Sequence, residues 1–220
     1  MRVGLLGFFL AIFFASAAFG AWQEDFEKGK AALSSKRNDE AIQTFATLIN
    51  GKKLPKDWLS QAYFYRGKAY KQKKDWGAAI SDFNESSKLD PKNASAYFEL
   101  GVAYHNQQKY ESALGAYDQA IKLKPGNYVY HYSRCVSNAW AGRPSGVITD
   151  CNKTLQLRPG YLPAMLEIGR AYEDTLNCNQ AEDVYSRVLK ADPGNRKATA
   201  GMEQIAVLRK STDPKLKCKK

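Results

Sequence analysis

Prolines stand at positions 91, 125, 159 and 193, thirty-four residues apart each time. A fixed period of that length requires one small unit of structure to recur along the chain, each copy burying a face against the next. Other positions keep the same register: Gly67, Gly101 and Gly169; Tyr70, Tyr104 and Tyr172; Ala79, Ala113 and Ala181; and the aromatic residues Phe83, Tyr117 and Tyr185. A residue type that returns on this period has a repeated structural task, and most other fold classes are excluded at once.

The local pattern within one period is helical. In residues 94–127, Tyr97, Leu100, Gly101 and Tyr104 recur in three- and four-residue steps and mark one face of a helix. Ala113, Tyr117, Ala120 and Ile121 do the same for a second helix. The short polar link between them makes the two helices antiparallel neighbours. Gly101 and Ala113 let their backbones approach, and the Asp90-Pro91 and Lys124-Pro125 steps end each second helix, because proline lacks a donor and disfavours helix in the residue before it.

Tyr97, Leu100, Gly101, Tyr104, Ala113, Tyr117, Ala120 and Pro125 together fall on the pattern of the tetratricopeptide repeat, which residues 94–127 resemble most closely. Residues 60–93 and 162–195 match nearly as well. Residues 22–55 form a divergent first unit with Gly29, Ala41 and Phe45 in register, followed by an insert at 56–59, and residues 128–161 keep the length and Pro159 but lose much of the pattern. The resemblance implies an all-α fold, a right-handed superhelical solenoid of about five antiparallel helix pairs. Residues 196–210 are expected as a C-terminal capping helix and 211–220 as a solvated basic tail.

Residues 1–20 do not follow the repeat. Arg2 precedes an apolar run over residues 3–15, and the small residues Ala15, Ser16, Ala17, Ala18 and Gly20 follow. This is the layout of a secretory signal peptide, cleaved after Ala18 or Gly20. An uncleaved anchor is the alternative, but the run is short for a bilayer span of ~20 residues, so cleavage is expected and no transmembrane segment after it. The expected location is an exported compartment, periplasmic if the source is bacterial and otherwise secreted.

The four cysteines allow three disulfide connectivities. Cys135 occupies the glycine position of the other units and Cys151 the aromatic position. One side chain grew where its neighbour across the helix pair shrank. In an oxidising compartment a Cys135–Cys151 bridge accounts for the exchange; two free thiols serving as small core residues is the alternative. A flexible tail would allow Cys178 to reach Cys218.

No phosphate-binding glycine loop, metal-ligand motif or dinucleotide fingerprint occurs. His131 and Cys135 lie four apart on one helix but on its packing face, so no catalytic residue, metal site or cofactor is assigned. Lysine and arginine exceed aspartate and glutamate by 33 to 22, a formal charge of +11 that favours acidic partners or anionic lipid. The lysines are spread over exposed faces except in the tail, and nucleic acid is not expected as a ligand.

In the family the first helices line a concave face that binds peptides. Position five of successive units reads Phe26, Phe64, Phe98, Tyr132 and Leu166, an apolar line. Lys30 and Lys68 flank it in the early units, with Lys71, His105, Asn106, Val136, Trp140 and Arg170 further along. The asparagines with which some chaperone-binding relatives grip a terminal carboxylate are missing here. The expected groove, from Phe26, Phe64, Lys68, Phe98, Tyr132, Trp140 and Arg170, suits an apolar or aromatic segment of a protein partner. The resemblance, together with the expected export, implies a non-enzymatic adaptor of the cell envelope. A self-associating structural protein, a homo-oligomer hiding its own groove, and a carrier of a small amphipathic ligand are the alternatives.

Overall fold

The computed structural model describes residues 22–51, 54–213 and 215–219. The expected signal peptide, residues 1–20, lies outside the described residues. Regular structure among the described residues is helical throughout. In chain order the helices are α1 (residues 22–34), α2 (Asn38–Asn50), α3 (Lys56–Gln72), α4 (Trp76–Leu89), α5 (Ala94–Asn106), α6 (Tyr110–Leu123), α7 (Tyr128–Trp140), α8 (Pro144–Leu157), α9 (Leu162–Asp174), α10 (Cys178–Ala191) and α11 (Arg196–Lys210). The chain divides into two compact units between Ala103 and Tyr104.

The period of the sequence is the period of the helices. Second helices begin at Trp76, Tyr110, Pro144 and Cys178, and first helices at Ala94, Tyr128, Leu162 and Arg196. Each first helix ends at a residue in the left-handed region: Lys36, Lys74, Gln108, Gly142 and Leu176, with φ between 58° and 68°. The next backbone N–H then reaches back five residues, Arg37 to Ala32, Asp75 to Tyr70, Lys109 to Tyr104, Arg143 to Asn138 and Asn177 to Tyr172, at 2.8–3.0 Å. This closes the last turn and reverses the chain. Only Gly142 uses the residue type for which such a φ carries no steric cost. The following first helices are capped by asparagines one period apart: Asn93 accepts from the N–H of Ser95 and Ala96, Asn127 from Val129, and Asn195 from Ala198. Tyr161 holds that place before α9 and gives no side-chain cap.

In the first unit the insert at 56–59 is an added helical turn. It makes α3 17 residues long, against 13 in α5, α7 and α9. The core there comprises Phe26, Ala32, Leu33, Ala41, Phe45, Leu48, Ala62 and Ala69. In the second unit α6 to α11 pack in sequence order, with α7 against α9 and α9 against α11 as further contacts. Its core joins Cys135, Val147, Cys151, Ile168, Val184, Tyr185, Ile205 and others. On α11 Ala198, Ile205 and Leu208 are buried, whereas Val207 is 63% exposed and takes no part in the cap.

Two alternations order this packing. A side chain at the glycine position would strike the aromatic of the same pair: a Cβ on Gly29 would lie 2.8 Å from the Phe45 ring, on Gly67 2.8 Å from Phe83, and on Gly169 2.5 Å from Tyr185. In the unit at 128–161 the same two places hold Cys135 and Cys151, joined by a disulfide across α7 and α8 with a Cα–Cα distance of 5.6 Å. Ion pairs alternate with apolar pairs in the same way. Arg66 grips Asp82 through Nε and Nη2 at 2.8 Å each, and Arg134 grips Asp150 likewise. One period along from each, the equivalent register positions hold apolar residues, Leu100 and Ala116 in one copy and Ile168 and Val184 in another, each of them buried.

Cys178 and Cys218 form a second bridge. Lys215, Leu216, Lys217 and Lys219 of the tail are exposed, but the segment is tied down: Cys218 is partly buried against the core, and the Lys219 N–H donates to the Leu176 carbonyl at 2.8 Å.

Candidate functional site

The first unit presents an aromatic and basic patch on α1 and α3. Phe64 is half-buried, 5.5 Å from the Tyr65 ring and 5.9 Å from Phe83 between centroids. The Lys68 ammonium stands 5.7 Å from the centroids of both Phe64 and Tyr65, and Lys30 stands 5.9 Å from Tyr65. Cation–ring contacts at partly exposed sites contribute ~0.5–1 kcal/mol each and hold the ammonium groups over the rings. Lys30 is also paired with Glu27 at 2.9 Å, and Lys71 with Glu99 at 2.6 Å. Lys68 alone of these three has no carboxylate partner among the described residues. Tyr65 was missed in the sequence; the signal was an aromatic at a unit position where Glu27, Glu99 and Glu167 stand in other copies.

Phe26 does not belong to this surface. It is 1% exposed and meets Phe45, Trp58 and Tyr65 edge-on at 5.4, 4.9 and 5.7 Å. The added turn of α3 is the cause, because it carries Trp58 over the position that other units leave open. Phe98 lies half-buried on α5.

In the second unit, α7, α9 and α11 frame a groove of about 900 Å3 whose lining includes Tyr132, Leu166, Arg170, Glu173, Lys197 and Gln204. Tyr132 and Arg170 are thus brought together. Trp140 is not among its lining residues: it is 64% exposed and stacks on Tyr110 with centroids 6.2 Å apart. A smaller hollow of about 210 Å3 between the end of α7 and α9 shares Arg170, Glu167 and Asp174 with the groove.

The electrostatics of the groove are mixed. Arg170 is exposed and 4.0 Å from Asp174. Burial raises the Glu173 carboxyl above its ordinary value, partly offset by the hydrogen bond it accepts from the Tyr185 hydroxyl at 3.0 Å. Burial, with Glu167 nearby, pushes the Tyr132 phenol up to about 12, so it stays a neutral donor at neutral pH. The Tyr132 ring meets Tyr161 edge-on at 5.1 Å, and Arg158 lies over both Tyr128 and Tyr161, at 4.8 and 4.9 Å. Tyr161, which gives no side-chain cap, is therefore used in a ring cluster that backs the groove.

The third wall of the groove also keeps the register of the repeat. Carried one period further, positions 163, 166 and 170 become Lys197, Ala200 and Gln204, all lining the groove. Helix α11, expected as a cap alone, also acts as the first helix of a further copy.

His131 and Cys135, four apart on α7, are both engaged in structural contacts. The His131 Nε2–H donates to the Pro125 carbonyl at 2.9 Å, and Cys135 is in its disulfide. His105 Nδ1 lies 2.8 Å from the Ser137 hydroxyl, and burial lowers its imidazole below the ordinary value. Among the described residues no group of histidine, cysteine and carboxylate side chains is placed to hold a metal ion, and no helix is long and apolar enough to cross a membrane.

Repeated antiparallel helix pairs of one period define a helical-repeat protein. The family follows from comparison with known proteins. Tetratricopeptide repeat profiles match residues 67–108, 94–127 and 163–195, and the chain is a tetratricopeptide repeat protein. Among solved structures, YrrB, described as a TPR protein with an unusual peptide-binding site, is 15% identical with a TM-score of 0.73, over 81% of this chain and 90% of its own. MamA from Desulfovibrio magneticus is 15% identical with a TM-score of 0.71, over 80% and 97%. The first TPR of Spaghetti (RPAP3), bound to an HSP90 peptide, is 27% identical with a TM-score of 0.51, over 56% and 97%.

Proposed function

We propose that this protein is a non-enzymatic adaptor that holds a segment of another protein along the inner faces of its first helices. The observation that carries the reading is the groove between α7, α9 and α11, which combines an apolar floor at Leu166 with donors and charges of both signs. Such a lining suits a polypeptide, whose backbone and side chains need both kinds of contact. The peptide-bound state of the Spaghetti repeat and the description of YrrB support the same reading.

The adaptor works outside the cytoplasm, in the periplasm if the source is bacterial. The apolar run behind Arg2 and the pairing of the described cysteines into two bridges support export, since structural disulfides persist in oxidising compartments. N-terminal sequencing tests this: a mature chain beginning at residue 19 or 21 is expected, and an intact Met1 in a membrane fraction would overturn it.

Binding is tested by capture from the envelope fraction, with wild type beside Arg170→Glu/Gln204→Glu and Phe64→Ala/Lys68→Glu. Wild type is expected to retain a polypeptide that at least one variant loses, with thermal melts unchanged. Retention of the same polypeptide by every variant would overturn the groove. A stable wild-type dimer that captures nothing would replace the adaptor with self-association.

A further inference from the structure

We propose that residues 215–219 form a docking site for an anionic lipid surface. The segment is built, not trailing. Cys218 is bonded to Cys178 at the buried start of α10, and the adjacent Lys219 N–H bonds the Leu176 carbonyl, so two consecutive residues fasten the chain to the α9–α10 turn. Upstream, the Asp213 carboxylate accepts from the Lys215 N–H at 2.8 Å, and the Leu216 N–H donates to the Asp213 carbonyl at 3.1 Å. A closed turn followed by a covalent anchor fixes what lies between them.

Between them the surface carries Lys215, Leu216, Lys217 and Lys219, all exposed, with Leu216 at 52%. Among the described residues none of the three lysines lies within ion-pair distance of a carboxylate, and here three such lysines fall within five residues. An apolar side chain set between unpaired lysines matches a lipid interface: Leu216 enters between headgroups while the ammonium groups meet phosphates. Lysine is also the fitting cation. Its compact point charge needs no fixed two-pronged geometry in its partner, which suits a fluid sheet of anionic headgroups. The excess of positive charge over the whole chain acts in the same direction.

Each lysine near an anionic bilayer strengthens binding about fivefold, so the three together account for on the order of 100-fold. The test is co-sedimentation of the oxidised protein with vesicles of phosphatidylglycerol and phosphatidylcholine in equal parts, against phosphatidylcholine alone. Wild type is expected to bind only the anionic vesicles, less at high salt. Lys215→Gln/Lys217→Gln/Lys219→Gln is expected to lose roughly 100-fold, and Leu216→Ser to weaken binding with all charges kept. Lys122→Gln/Lys124→Gln/Lys190→Gln, at exposed positions elsewhere in the same unit, controls for net charge. Equal binding by the two triple variants would overturn the proposal in favour of general attraction. Binding to polyglutamate but not to the anionic vesicles would overturn it in favour of an acidic protein partner. All substituted positions are exposed, so unchanged circular dichroism melts separate lost docking from lost folding.

Discussion

Replacing the Cys135–Cys151 bridge by the residues that other copies use at the same places tests whether disulfide and ring-on-glycine contact are equivalent solutions. Both sulfurs are fully buried and the bridge closes 16 residues. Loop closure of that size restricts the unfolded chain by about 3 kcal/mol. Cys135→Ala/Cys151→Ala should lose about that much together with the packing of two sulfurs. Cys135→Gly/Cys151→Tyr also loses the loop constraint but regains a buried ring, as Tyr185 does at 3% exposure over Gly169. Urea unfolding followed by circular dichroism should therefore rank wild type first, the glycine–tyrosine variant second and the double alanine last. The Cys178–Cys218 bridge stays intact in all three. A ring variant less stable than the double alanine would refute the equivalence. A double alanine that matches wild type would refute the contribution of the bridge itself.

Three further outcomes follow from the same packing. Gly169→Leu should destabilise by about 1–3 kcal/mol because its Cβ already meets the Tyr185 ring, whereas Gly115→Ala, with nothing within 4 Å, should be neutral or stabilising; thermal melts of the two separate steric cost from helix propensity. Asp82→Ala alone should cost about 3 kcal/mol by stranding the Arg66 guanidinium, while Arg66→Leu/Asp82→Ala, copying Leu100 and Ala116, should restore most of it; a double variant as weak as the single would sink this account. Burial lowers the His105 imidazole, so the unfolded chain takes up a proton the folded one resists; stability should fall as pH drops below about 6.5, and His105→Asn should flatten that part of the dependence in urea midpoints.

The glycine, tyrosine, alanine and proline positions, the helix pairs and the places of Cys135 and Cys151 could be read from the chain because each is local or recurs on one period. Steric exclusion at Gly67 and Gly169 leaves a mark in every copy where it acts. The asparagines at 93, 127 and 195 and the continuation of the register into α11 were equally legible, since capping is also local. What breaks the period could not be read that way. The turn at 56–59 appears in sequence as an insert, and only its helical continuation into α3 carries Trp58 over Phe26 and removes that ring from the inner face. Trp140 stands at a lining position by register but stacks on Tyr110, from another helix pair. The pairing of Arg66 with Asp82, of Lys71 with Glu99 and of Cys178 with Cys218 joins residues 16, 28 and 40 apart. Periodicity assigns a residue to a face of its helix; which side chain meets it there is decided by neighbours that only the packed structure brings within reach.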